Sequence, residues 1–213
     1  MAGSLQAAIN QAMSICWDES IGYNLGGMAR SAADGVDCSG LVGRCLSDAG
    51  GYNYPSHHVG TQYMKPALIS AGFNIIPITR QGQIEREIMP GDIVVMNHPL
   101  GQGGHTFFYM EDIRAYTDYS ADSDHIGIVH KAKVEASSSR GHSGQGDSKK
   151  NGTGAYWEVW CHAFVNLYDA GTYLPTEVFV CRDPNYNPPT PDQRLFVELK
   201  ILDVQQKRHY ENI

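Results

Sequence analysis

Once deprotonated, a cysteine is the strongest side-chain nucleophile, and one of the five in this sequence stands where an anion is favoured. Asp37-Cys38-Ser39-Gly40-Leu41-Val42 puts Cys38 in the first turn of a predicted helix, where unpaired N–H groups and the positive end of the helix dipole gather. Cys45 falls on the apolar stripe of that helix, while Cys16, Cys161 and Cys181 lie in apolar runs that suit a small hydrophobe. A thiolate needs a base, and the base needs a group to orient it. His105 is the candidate base: it follows Gly103-Gly104 and opens the apolar run Thr106-Phe107-Phe108-Tyr109. Gly91-Asp92-Ile93-Val94-Val95 precedes it at the distance of an antiparallel neighbour. If the strands starting at His105 and ending near His130 form a hairpin centred near residues 117 and 118, those two histidines face each other across it. His130 is therefore the preferred orienting residue, with His125, Asn97 and Asp124 in reserve. Each of these side chains also has a plainer reading as a core residue, which spacing alone leaves open.

The elements that must hold these residues can be read from hydrophobic period. Leu5, Ala8, Ile9, Ala12, Met13 and Ile15 recur at helical spacing behind Ser4, a suitable N-cap. A second helix is predicted over 39–49 and stopped by Gly50-Gly51, and a third over 59–71 ends at Gly72. The period then shortens. Strands are predicted at 73–78, 93–96, 105–110, 126–134, 157–164 and 176–181, so helices precede strands and an α+β fold with an antiparallel sheet of five or six strands follows. Ser137 to Gly154 holds almost nothing apolar and reads as a mobile insertion. The expected organisation is one domain over 1–182 carrying that insertion, with a Pro-rich extension over 183–213 docking back on it.

Composition limits the function classes. With 213 residues, 42% hydrophobic, the chain can build one large core. Sixteen Lys and Arg against 23 Asp and Glu leave a net charge of −7 and no basic block, which argues against a nucleic-acid partner. No apolar run reaches the length of a membrane helix, and Met1 to Ser20 lacks the basic start and apolar stretch of a secretory signal. Five widely spaced cysteines do not form a disulfide framework. His57-His58 and Cys161-His162 are adjacent pairs that a strand would point to opposite faces, and no CxxC or HxxxH spacing occurs, so neither a metal nor a cofactor is expected.

Taken in order, Gly22-Tyr23, Gly26-Gly27, Asp37-Cys38-Ser39-Gly40-Leu41-Val42, Gly91-Asp92 and Gly104-His105 resemble the NlpC/P60 superfamily of papain-like cysteine peptidases. Thr61-Gln-Tyr-Met, Ala71-Gly72-Phe73 and Gly103-Gly-His-Thr extend the likeness toward phage peptidoglycan amidases of the pneumococcal phage lysin type. The resemblance implies a papain-like α+β fold and bacterial peptidoglycan as the partner. It implies Cys38 as the nucleophile, His105 as base and later acid, and His130 at the position that the family fills with a polar residue. Tyr23 and the N–H of Cys38 or Ser39 would steady substrate and oxyanion, while Asp37 would fix the loop at the helix start. His125-Ile126-Gly127-Ile128-Val129 also resembles the family's histidine-bearing strand, which keeps His125 as an alternative base. The bond cut would be the γ-D-glutamyl linkage of the stem peptide or its N-acetylmuramoyl-L-alanine amide. The enzyme would wait in the producing bacterium's cytoplasm, or in a virion, and act on the wall after release. A non-catalytic wall-binding or virion module on the same fold, or a papain-like acyltransferase, are the alternatives.

Overall fold

The computed structural model describes residues 3–17, 21–31, 34–79, 83–98, 103–111, 113–116, 126–129, 132–136, 155–159 and 177–188. Helix α1 (Leu5–Trp17) starts where Ser4 Oγ accepts from the Ala7 N–H at 3.3 Å. Helix α2 (Cys38–Ser47) starts at Asp37, whose Oδ1 accepts from the Gly40 N–H at 2.6 Å, and α3 spans Thr61–Ser70. Asp37 is a strong N-cap because its carboxylate satisfies an amide that the helix cannot. Strands β1 (Asn74–Ile78), β2 (Ile93–Asn97) and β3 (Gly104–Tyr109) follow, with a four-residue helix α4 (Ile84–Glu87) between the first two. Then come β4 (Ile113–Tyr116), β5 (Ile126–Val129), β6 (Ala132–Ala136), β7 (Ala155–Val159) and β8 (Glu177–Arg182).

Six of these strands make one antiparallel sheet in the order β1-β8-β2-β3-β6-β7, and β4 and β5 pair separately. The α+β antiparallel architecture read from the sequence is the one observed. Alternation sends Ile93, Val95, Phe108, Val134, Ala136, Phe179 and Cys181 to one face, where they join α1, α2 and α3 in the larger core. Val94, Met96, Phe107, Tyr109, Val178 and Val180 take the other face, where Ile84 of α4 and Ile78 complete a second core. Burial on both sides explains why β2 is a continuous apolar run with no alternation.

Three sequence expectations differ. The strand predicted over 126–134 is two strands, β5 and β6, and the polar stretch before it contains β4. The four-residue α4 is too short to leave a periodic signal. The hairpin is also centred elsewhere: the pairs Ile113–Val129 and Phe108–Val134 are symmetric about position 121, beyond the 117–118 expected. Since register is fixed by where the chain turns, this moves every cross-strand partner of β3 along β6.

The first residues of the Pro-rich extension lie on the domain. Tyr52 donates its hydroxyl to Asp183 at 2.5 Å, and Tyr186 donates to Gln6 of α1 at 2.9 Å. The insertion 137–154, the end of the strand predicted over 157–164 and the segment Leu195–Gln205 lie outside the described residues.

Candidate active site

The loop before α2 is built around Asp37. Besides capping the helix, its carboxylate accepts from the Gly26 N–H at 2.7 Å and from Ser39 Oγ at 3.0 Å, and it contacts His58 Nε2 at 2.8 Å. Gly40 allows this closeness: a Cβ there would strike the carbonyl oxygen of Gly27. The loop therefore lies against the first turn of α2, and Tyr23 reaches it through a bridge to Val36. Ser39 Oγ also meets His58 Nε2 at 3.0 Å, so His58, considered in the sequence only as half of an adjacent histidine pair, closes a ring with Asp37 and Ser39 beside the cysteine.

Cys38 is the first residue of α2 and is buried at 7% exposure, its Sγ 3.8 Å from the carbonyl oxygen of Gly104. Gly104 in turn must be glycine, because a Cβ would collide with Thr61 Oγ1 at the start of α3 and lie 2.7 Å from the Met96 carbonyl oxygen. That squeeze brings the head of β3 to the head of α2. His105, next in the chain after Gly104, stands close enough to Cys38 for the two to interact, and its Nε2 is hydrogen-bonded to Glu135 Oε2.

Glu135 is the residue that sequence reasoning missed. It lies on β6, where Lys133 and Val134 are the Cα partners of Tyr109 and Phe108. Continued by one step, that register sets Glu135 against Phe107 and diagonal to His105, where a hairpin centred at 117–118 would set His130 against His105. His130 itself, like His125 and Asp124, lies outside the described residues. A signal was available: Ala132-Lys-Val-Glu-Ala sets two charged residues two apart in a strand of small apolar ones, hence on one face. Asn97, on β2 opposite Gly104, donates its amide to Glu177 at 3.2 Å.

The electrostatics favour an ion pair. Burial works against a charged imidazole, but the Glu135 carboxylate and the hydrogen bonds to Cys38 and Glu135 overcome it and lift the His105 pKa to about 9. Burial would likewise neutralise Glu135, yet the charges of His105 and Lys133 hold its carboxyl well below the usual range. By contrast, burial, aided by Asp48 at Cys45 and by Asp92 at Cys181, pushes those two thiols far up and disfavours a thiolate at either. Cys16, Cys38, Cys45 and Cys181 are all free thiols. Among the described residues no cluster of three or more His, Cys, Asp or Glu could hold a metal ion, and no helix is long and apolar enough to cross a membrane.

A thiol at a helix start, joined through an imidazole to a buried carboxylate, can perform nucleophilic acyl transfer. Comparison with known families agrees with that chemistry, since the NlpC/P60 family model matches residues 21–143, more than half of the 213-residue chain. The chain belongs to the NlpC/P60 family. NlpC/P60 proteins are in general cell-wall peptidases or hydrolases, typically cysteine peptidases acting on peptidoglycan. The matched segment takes in Cys38, His105 and Glu135, while α1 and β8 lie outside it. Comparison with curated proteins and with solved structures gave no match.

Proposed function

We propose that this protein is a cysteine-dependent peptidoglycan hydrolase that cuts an amide bond of the stem peptide, with Cys38 as nucleophile, His105 as acid and base, and Glu135 as the residue that orients and charges His105. The observation that carries this reading is the single chain of contacts from Cys38 through His105 to Glu135. In the first half-reaction the Cys38 thiolate attacks the amide carbon and forms a C–S bond. The imidazolium of His105 gives its proton to the amide nitrogen as the C–N bond breaks, and the amine leaves. The product is a thioester, and His105 is then neutral. In the second half-reaction His105 takes a proton from water, hydroxide oxygen bonds to the acyl carbon, and the thiolate leaves, which restores the ion pair. First-turn amides of a helix have no partners within it, so the N–H of Cys38 or Ser39 is available for the oxyanion, with Tyr23 as a second candidate donor.

The motifs shared with phage lysins support action on the wall after release from the producing cell or virion. The test is digestion of purified peptidoglycan by the wild type and by Cys38→Ala, with products identified by mass spectrometry. Release of whole stem peptides by the wild type alone means an amidase. Stems cut back to two residues on the sugar mean a γ-D-glutamyl endopeptidase. Wild type and variant behaving alike would overturn the reading and favour a wall-binding module.

A further inference from the structure

Lys133 is a buried cation to which the proposed reading gives no task. Lys133 and Glu135 are two apart on β6 and point to the same face of the sheet. Their side chains are 8% and 1% exposed, and Lys133 Nζ lies 2.8 Å from Glu135 Oε2, the same oxygen that receives His105 Nε2. Both cationic groups sit by one aromatic ring: Lys133 Nζ is 5.4 Å and the His105 ring 5.8 Å from the centroid of Phe107. Burying an ammonium group is costly unless it is paired. Strand pairing alone does not call for a charge here, since Val or Thr would serve on β6.

We propose that Lys133 is a positioning residue that keeps Glu135 a carboxylate through both halves of the acyl-transfer cycle, so that the orienting group never loses its charge when His105 loses its proton. This rests on the assignment of Cys38, His105 and Glu135 above. Thiolate and imidazolium appear and disappear together, one consumed in the thioester and the other discharged onto the leaving amine. Glu135 and Lys133 form the constant pair, and the four groups are neutral together in the resting enzyme and in the thioester. Without Lys133 the set carries an unbalanced negative charge in both states, and in the thioester the buried carboxylate faces only a neutral imidazole. His105 is then the cheapest place for a balancing proton, so it would hold its proton to higher pH and be a poorer base for deacylation.

Among the described residues, Tyr109 of β3 and Glu158 of β7 are the Cα partners of Lys133, Tyr156 of β7 is the Cα partner of Glu135, Cys16 Sγ of α1 lies 3.7 Å from the Glu135 carbonyl oxygen, and Asp37 and His58 adjoin Cys38 at the start of α2. The test is the midpoint of His105 ring titration, followed by NMR and assigned against His105→Ala, in wild type, Lys133→Met, Lys133→Arg and Glu158→Gln. Lys133→Met is expected to raise the midpoint by about one pH unit, with Lys133→Arg restoring it and Glu158→Gln leaving it in place. If Lys133→Met does not fold, Lys133→Gln carries the same test, since it keeps a hydrogen bond to Oε2 without the charge. An unmoved midpoint, or an equal shift in Glu158→Gln, would overturn the role of Lys133 whatever the wall assay gives. A shifted midpoint in a protein that releases no wall fragment would overturn the peptidoglycan reading and leave this charge relation standing.

Discussion

His105 shows how a single side chain carries both reactivity and stability. Its pKa is raised from the ordinary 6.5 to about 9, so the folded state binds its proton more tightly than the unfolded chain does. The stabilisation is complete below about pH 6.5 and disappears as pH climbs through about 9. Glu135 has the opposite sign: its carboxyl is lowered from the ordinary 4.5, so its share is lost as pH falls below that value. The pair therefore contributes most between roughly pH 4.5 and 6.5, and hydrolysis, which needs the imidazolium to protonate the amine, should fail on the alkaline side near pH 9. Glu135→Gln removes the charge that opposes burial, and the alkaline limb of kcat/KM is expected to move down by about two pH units. A limb that stays in place would show that Glu135 does not govern His105. At this scale the sequence is readable where the signal is local. Asp37 as a cap, Cys38 behind it and His105 after its glycines are all set by neighbours within a few positions. Glu135 is not readable that way, because its place beside His105 depends on where a polar chain of a dozen residues turns.

Between elements, the decisive contact is a crowded one. The head of β3 can approach α2 and α3 together only because Gly104 has no side chain. Gly104→Ala would force its Cβ into Thr61 Oγ1 and against the Met96 carbonyl, a backbone atom of the neighbouring strand that cannot rotate away. The expected cost is about 2 kcal/mol, read as a fall of roughly 4–8 °C in Tm, together with a loss of activity beyond what the stability change explains. Unchanged Tm and turnover would mean that β3 and α3 part easily. The Gly-His pair thus reads as a motif because of packing as much as chemistry. Elements with a long period, α1 and α2, match their sequence pattern closely, while α4 and β4, at four residues each, are too short to leave one.

Across the whole molecule the sheet is held together by its latest described strand. β8 lies between β1 and β2 and pairs with both along their full length. Arg182 at its end donates from Nε and Nη2 to Asp92 at 2.9 and 2.7 Å, which gives the Gly91-Asp92 turn a structural task. Arg182→Leu would leave a carboxylate of 2% exposure without its cation and is expected to cost about 3 kcal/mol in urea unfolding at neutral pH. Adding Asp92→Asn to that variant should recover part of the loss, and no recovery would show that the pair does not bind the turn to the strand. No pattern within residues 177–182 announces their place in the sheet, since an apolar run fits any buried strand.

The placement of β8 also sets an order in time. The chain is synthesised from its N-terminus, so Cys38, His105 and Glu135 all exist before the strand that separates β1 from β2. Until then β2 offers a bare edge, apolar on both faces, that can close only by waiting or by pairing wrongly. A chain halted short of Glu177 carries every group of the candidate site and no finished sheet to aim them.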